Sequence, residues 1–110
     1  MISISTITTI LVLHFVGDFI LQSNWMATHK STNNKALLYH VLAYSSVFIL
    51  ISPLYAIING IAHFGIDYMT SRITSKLWTD KEIHCFFIII GLDQLLHTLI
   101  LVGTYNLIIQ

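Results

Sequence analysis

The sequence predicts an all-α membrane protein in which four transmembrane helices form one antiparallel bundle. Hydrophobic residues make up 55% of the 110 residues and charged residues only 9%, whereas about 25% of the residues of a soluble domain are charged. A water-soluble fold this short leaves a large share of its surface exposed, so it could not hide so many apolar side chains. Apolar runs recur four times along the chain, and each is a candidate membrane span.

The first predicted span covers residues 4–22, close to the ~20 residues that a helix needs to cross the hydrocarbon core. A polar loop, residues 25–35, leads to the second span, residues 36–52. Proline disfavours helix at the preceding residue and suits a first helical turn, so we expect a tight turn at Ser52 and Pro53. The remaining spans are residues 54–70 and 83–108. The third helix can extend beyond the membrane through the polar residues 70–78, and residues 1–110 form a single domain.

The basic residues predict the orientation in the membrane. All five lie in two segments, one after the first span and one after the third: Lys30, Lys35, Arg72, Lys76 and Lys81. Four spans put both segments on the same side, and the positive-inside rule makes that side cytoplasmic and both termini external. The aromatic residues Trp25, Tyr39, Tyr68 and Trp78 are expected at the same face, as an interfacial belt.

Charge, cysteine content and the N-terminus exclude several classes of protein. The formal net charge is zero, so we expect no nucleic-acid partner. The single cysteine, Cys85, rules out an intrachain disulfide framework and any CxxC motif. The N-terminus lacks the positive region of a signal peptide, so we interpret it as a retained first span.

Histidine and aspartate recur at a spacing of four residues inside the predicted spans. On a helix, His14, Asp18 and Gln22 share one face. His63 and Asp67 repeat the spacing in the third span, Asp93 and His97 invert it in the fourth, and His40 lies in the second. A charged side chain at mid-membrane costs ~2.5–3.5 kcal/mol even on the lenient insertion scale, so such groups persist where they face the bundle interior and find partners.

These polar residues predict one shared metal site. Counted at a rise of ~1.5 Å per residue, they all fall in the cytoplasmic half of the bilayer or near its midplane. Imidazole and carboxylate suit Zn²⁺, Mn²⁺ or Fe²⁺, and helix bundles build such sites from facing side chains. We therefore predict one or two divalent ions held by residues of all four spans: His14, Asp18, His40, His63, Asp67, Asp93 and His97.

Within this set, the first four ligands are expected from the first and third spans: His14, Asp18, His63 and Asp67. The remaining three residues could complete that set, bind a second ion or support the ligands. Gly17, Gly65 and Gly91 are expected to let the helix backbones approach closely around the site. Two alternatives stay open: a metal-free proton or ion relay, and His–Asp pairs that only hold the bundle together.

The function favoured by these residues is metal-dependent hydrolysis of a lipid-linked or amphiphilic substrate. Asp18, Asp93 and His97 are the candidate catalytic residues for proton transfer, and Arg72 is the candidate contact to a substrate phosphate. The main alternative is a non-catalytic protein: an ion- or metal-conducting channel or transporter, or a protein that binds a membrane partner. The short chain favours a homo-oligomer in that case.

At these motifs the sequence resembles a small family of bacterial and phage integral membrane proteins, known as a domain of unknown function (3307 type). The matching elements span nearly the whole chain: HFVGDFILQSNWMATHK from residue 14, LLYH around His40, NGIAHFGIDYMTSR from residue 59 and GLDQLLH from residue 91. The resemblance implies that these positions form a set, in a protein of the bacterial inner membrane. A looser similarity to membrane-bound metal-dependent hydrolases implies hydrolysis.

Overall fold

The computed structural model describes residues 1–110 and contains only helices, which confirms the predicted all-α class. The elements in chain order are α1 (Ile4–Phe15), a π-helical segment (Val16–Ile20), α2 (Asn24–His29), α3 (Asn34–Phe48), α4 (Pro53–Thr79) and α5 (Ile83–Ile108). The π-helical segment continues α1, and its Leu21 amide donates to the Val16 carbonyl five residues back. Such π turns in helices occur frequently at functional sites.

Short polar side chains begin most of the helices. Ser3, Ser23, Asn33 and Ser52 each accept a hydrogen bond from a backbone amide in the first turn of the helix that follows, as N-capping residues do. Pro53 occupies the first turn of α4, as predicted. Helix α4 runs on to Thr79, which confirms its polar extension, and the predicted polar loop contains the short helix α2.

Only α5 is both long and apolar enough to cross a membrane by its own composition, whereas four spans were predicted. Residues Ile4–Ile20 form a shorter apolar helix, and α3 has 15 residues. Helix α4 has 27 residues, but Asn59, His63 and Asp67 lower the hydropathy of its apolar half. The hydropathy of the separate helices therefore does not by itself support four spans. The other three would need their polar side chains covered inside the bundle.

The interior of the bundle is divided into an apolar end and a polar end. On α3, the buried His40 precedes the buried Phe48 by about two turns. On α4 the order is reversed, because Tyr55 precedes His63 by the same interval. Consecutive antiparallel helices thus place their apolar residues together at one end, in a core formed by Ile10, Tyr44, Phe48, Tyr55, Ala56 and Leu101.

Close approach of helices depends on Gly17 and Gly60. A Cβ on Gly17 would lie 3.1 Å from the Tyr44 carbonyl oxygen and 3.2 Å from its Cα, and a Cβ on Gly60 would collide with the Ser45 hydroxyl. The expectation for Gly65 and Gly91 is wrong. A Cβ on either would meet nothing within 4 Å, because these positions face away from the neighbouring helices.

We expect Gly17→Ala to lower the free energy of unfolding by about 1–3 kcal/mol, because the added methyl group presses on backbone atoms of α3 that cannot rotate away. Gly103→Ala is the matched control. It has open space around it, so it should gain up to about 1 kcal/mol from helix propensity. Thermal unfolding of both variants in the same detergent checks the opposite signs, and equal shifts would contradict the close contact.

Candidate metal centre

Two histidines and two aspartates from three helical segments bring one ligand atom each to a common point. The residues are Asp18 of the π-helical segment, His40 of α3, and His63 and Asp67 of α4. His40 Nε2 lies 3.0 Å from Asp18 Oδ1 and 3.2 Å from Asp67 Oδ2. His63 Nε2 lies 3.4 and 3.2 Å from the same two oxygens, and 3.0 Å from His40 Nε2. All four side chains are buried.

These distances fit the edges of a metal coordination tetrahedron. An imidazole Nε2 carries at most one proton, so the two rings cannot serve all five contacts as hydrogen-bond donors. Bonds of ~2.0–2.1 Å from Zn²⁺ to its ligands place tetrahedral ligands about 3.3 Å apart, and the separations here are 3.0–3.4 Å. The residues present therefore fit a divalent metal. The same contacts act as ion pairs when the histidines are protonated.

Gln94 connects this centre to α5. Its Nε2 donates to Asp18 Oδ2 at 3.0 Å and to Asp93 Oδ2 at 3.1 Å, while its Oε1 accepts from His14 Nε2 at 2.8 Å. Because His14 donates through Nε2, its Nδ1 in the neutral ring accepts from the Tyr44 hydroxyl at 3.2 Å. Hydrogen bonds of this kind orient the ligands of a metal site.

The structure places His40, rather than His14, among the four converging ligand atoms. His14 was grouped with the first ligands on sequence spacing, but its Nε2 lies 3.7 Å from Asp18 Oδ2. Both of its ring nitrogens are engaged by Gln94 and Tyr44. His14 therefore lies beside the centre as a supporting partner of Asp18.

A second group of potential ligands, Asp18, Asp93 and His97, adjoins the first. His97 Nδ1 lies 3.3 Å from Asp93 Oδ2 and its Nε2 lies 3.5 Å from Asp67 Oδ1, yet neither ring nitrogen makes a hydrogen bond. The His97 ring stacks on the His63 ring with centroids 4.1 Å apart. His97 is thus held beside both carboxylates with two uncommitted nitrogens. Gln94 Nε2 donates to both carboxylates of this second group, Asp18 and Asp93.

Lys30 brings a positive charge to the edge of the centre. Its Nζ lies 3.4 Å from Asp67 Oδ2, and its side chain is 22% exposed. Asp18, Asp67 and Asp93 supply three negative charges when ionised. One divalent cation together with Lys30 would balance these three charges.

Arg72, the predicted contact to a substrate phosphate, has its guanidinium engaged away from the centre. It donates to the Tyr68 carbonyl and to Asn34 Oδ1, both at 2.9 Å, and it lies 3.6 Å from the centroid of the Tyr68 ring. Lys30 is the basic residue that reaches the carboxylates. The role of Arg72 remains a prediction.

The structure thus brings together all seven predicted histidines and aspartates. Sequence patterns did not identify the supporting residues Tyr44, Lys30 and Thr70, the last of which donates to Asp93 Oδ1 at 2.6 Å. Lys30 could have been identified from the sequence, because it lies close to the first His–Asp pair. Tyr44 and Thr70 could not, because hydroxyl residues are common in apolar helices. Gln94, by contrast, is a candidate from the sequence, either as a hydrogen-bond partner of the site carboxylates or as a contact between helices, and the structure shows its hydrogen bonds to Asp18 and Asp93.

One protein family matches this chain. The model of the family described as "Protein of unknown function (DUF3307)" matches residues 6–110. That range contains every residue of the centre. Neither a curated protein nor a solved structure matches the chain.

Proposed function

We propose that this chain, which belongs to the DUF3307 family, is a four-helix integral membrane protein that binds a divalent metal and hydrolyses a lipid-linked or amphiphilic substrate. The observation that carries the proposal is the convergence of two imidazole nitrogens and two carboxylate oxygens inside an otherwise apolar chain. Zn²⁺, Mn²⁺ and Fe²⁺ all suit this combination of ligands.

The distribution of side chains supports a bilayer around α1 with its π-helical extension, α3, α4 and α5. Only 21 of 110 residues are buried, and ten of these are polar or charged. Thirty large hydrophobic side chains are exposed, such as Leu42, Ile57 and Ile61, whose exposed fractions are 57, 59 and 71%. A soluble protein has the opposite arrangement, with its polar residues mostly outside. Polar groups inside a membrane bundle face its interior and pair there, as they do here.

The exposed residues at the polar end of the bundle support the orientation. Trp25, Tyr39, Tyr68 and Trp78 are all exposed, and they accompany the five basic residues of the chain. Aromatic residues and an excess of lysine and arginine are typical of the cytoplasmic interface of a bacterial inner membrane. We therefore place the metal centre in the cytoplasmic half of the bilayer and both termini outside.

The residues around the proposed ion have distinct roles in hydrolysis. A divalent ion bound there would act as a Lewis acid that activates water and polarises the scissile group. Asp18 would hold the ion, because its Oδ1 lies with the other converging atoms while its Oδ2 accepts a hydrogen bond from Gln94. Asp93 and His97 lie 3.3 Å apart and outside the four converging ligands. From there they could act as general acid or base in the hydrolysis. A small cavity at Lys30 reaches Asp67 and Asp93, and gives the centre the open side that a catalytic metal site requires.

Elemental analysis and hydrolysis assays of the full chain, purified in detergent, test the proposal. We expect about one transition-metal ion per chain. We also expect metal-dependent hydrolysis of at least one of two probes, phosphatidic acid or para-nitrophenyl laurate in mixed micelles. Asp93→Asn and His97→Gln should keep the metal and lower the rate by about 10²–10⁴-fold, the range that a positioned acid or base contributes.

Asp80→Asn is the matched control for this experiment, because Asp80 is an exposed aspartate that pairs only with Lys76. It should leave metal content and rate unchanged. Metal binding without hydrolysis of either probe would favour the alternative, a non-catalytic metal-binding channel, transporter or partner-binding protein. Absence of stoichiometric metal would overturn the proposal and leave the relay or structural pairing.

A further inference from the structure

We propose that the cavity at the polar end of the bundle binds a phosphate group, with Lys30 and Ser71 as its protein partners. This inference rests on the proposed function, because it assigns the class of substrate that the metal centre takes. It differs from the prediction for Arg72, whose guanidinium is engaged elsewhere.

The cavity lies between α4, α5 and the segment that carries Lys30. Its volume is about 60 Å³, and its walls include Asp67 and Asp93 of the metal centre. A site for one water needs roughly 10–15 Å³ of this kind of space, so the cavity has room for about four to six water-sized groups. That is enough for the four oxygens of one phosphate group. Any group in this cavity lies directly beside the carboxylates that would hold the metal.

Ser71 supplies an uncommitted donor to the cavity. It lies one helical turn beyond Asp67 on α4, it is only 6% exposed, and its Oγ has no hydrogen-bond partner. A buried hydroxyl without a partner is costly unless a ligand or water satisfies it. The neighbouring hydroxyls are already used, since Thr70 donates to Asp93 and Thr74 donates to the Ser71 carbonyl. Ser71 therefore remains the donor available to a bound group.

Lys30 supplies the charge that selects an anion. Its ammonium is a three-proton donor in the wall of the cavity, and its contact with Asp67 Oδ2 is long at 3.4 Å. Protons of the ammonium group thus remain free for a second acceptor. A neutral ligand would not need this charge, whereas phosphate oxygens form strong charge-assisted hydrogen bonds with lysine.

The two carboxylates in the same walls make phosphate binding conditional on the metal. Without a cation, Asp67 and Asp93 would repel an anion. A divalent ion bound at Asp67 and the ammonium group of Lys30 together balance the three aspartates of the site, so an incoming phosphate meets donors and no excess negative charge. We therefore expect phosphate to bind the metal-loaded protein at least tenfold more tightly than the metal-free protein.

Phosphorus NMR of the purified full chain tests this inference. Inorganic phosphate is titrated into the Mn²⁺-loaded protein in detergent, and binding within a few ångströms of the ion broadens the phosphate signal. Lys30→Met should raise the Kd for phosphate by roughly 10- to 100-fold, the value of a hydrogen bond to a charged group. Ser71→Ala should raise the Kd by about three- to tenfold.

Lys35→Met and Ser75→Ala are the matched controls, because both residues are exposed and lie outside the walls of the cavity. They should leave the Kd for phosphate unchanged. Metal content is measured for every variant, so that a lost ion is not mistaken for a lost phosphate contact. Equal phosphate affinity in Lys30→Met and Lys35→Met overturns the assignment.

The same measurements separate this inference from the proposed function. A protein that binds metal but not phosphate overturns the phosphate site alone. Metal binding and Lys30-dependent phosphate binding without hydrolysis of either probe overturn the proposed hydrolysis alone. Absence of stoichiometric metal overturns both, because the phosphate site depends on the metal. Nanodiscs identify the source of the phosphate group. Broadening of a phosphatidic acid signal, with displacement of inorganic phosphate, assigns a lipid headgroup, and broadening of inorganic phosphate alone assigns a soluble phosphate.

Discussion

Asp67→Asn is expected to abolish stoichiometric metal binding, with an affinity loss of more than about 100-fold. The substitution keeps the shape of the side chain but removes the charge of an oxygen that lies 3.2 Å from both His40 Nε2 and His63 Nε2. Removing only a supporting partner of a metal ligand already costs about 10–100-fold, so the loss of an anionic ligand must cost more. Competition with a metal-chelating dye, together with elemental analysis, measures the change.

His14→Gln distinguishes a ligand from a supporting residue in the same assay. His14 contacts Gln94 and Tyr44, not the converging atoms, so the variant should retain metal with an affinity about 10–100-fold weaker. His29→Gln is the control, since His29 is exposed and bonds locally to Trp25. Unchanged metal affinity in Asp67→Asn would assign the histidines and aspartates to structural pairing. A complete loss in His14→Gln would return His14 to the ligand set.

Phe48→Ala is expected to lower the free energy of unfolding by about 3–5 kcal/mol. Phe48 is fully buried, and its ring centroid lies 5.1 Å from that of Tyr44 and 5.8 Å from that of Tyr55. The truncation leaves a cavity at the apolar end of the bundle, far along α3 from His40. The metal content should therefore stay at the wild-type value while stability falls, which denaturant titration in mixed micelles and elemental analysis measure together.

Leu50→Ala is the control for this prediction, because Leu50 is 82% exposed. It should change stability by no more than about 0.5 kcal/mol, as surface substitutions do. A Phe48→Ala protein as stable as Leu50→Ala would contradict the apolar core. Loss of metal in a folded Phe48→Ala protein would contradict the division of the interior into two ends.

The sequence was sufficient to predict which histidines and aspartates gather at the centre, but not the residues that support them. A spacing of four residues places two side chains on one helix face. Each His–Asp pair therefore depends only on the geometry of its own helix, not on how the helices pack. The cost of an isolated charge among apolar residues then required the pairs to find one another. This is why residues as distant in sequence as Asp18 and Gln94 proved to be in contact.

The sequence was not sufficient to predict which atoms meet across the helices. That choice depends on how each helix is rotated, and the rotation of α1 is set by the contact of Gly17 with α3 and by the π-helical turn around Asp18. A single extra residue in a turn leaves no periodic signal in an apolar run. For this reason the structure was needed to show that His40, and not His14, lies among the four converging ligand atoms. The position of Lys30 depends likewise on the fold of the segment after α1.

The polar inner face of α4 also constrains how the chain is synthesised. Helix α4 is synthesised before α5. His63 and Asp67 are therefore made before Gln94 and His97, which lie beside them in the folded protein. During that interval α3, through His40, is the neighbour that can shield them, so the proposed membrane arrangement favours the pairing of α3 and α4 before α5 is added. A chain interrupted before α5 would lack Gln94 and His97, and would leave the carboxylates of Asp18 and Asp67 without these neighbours.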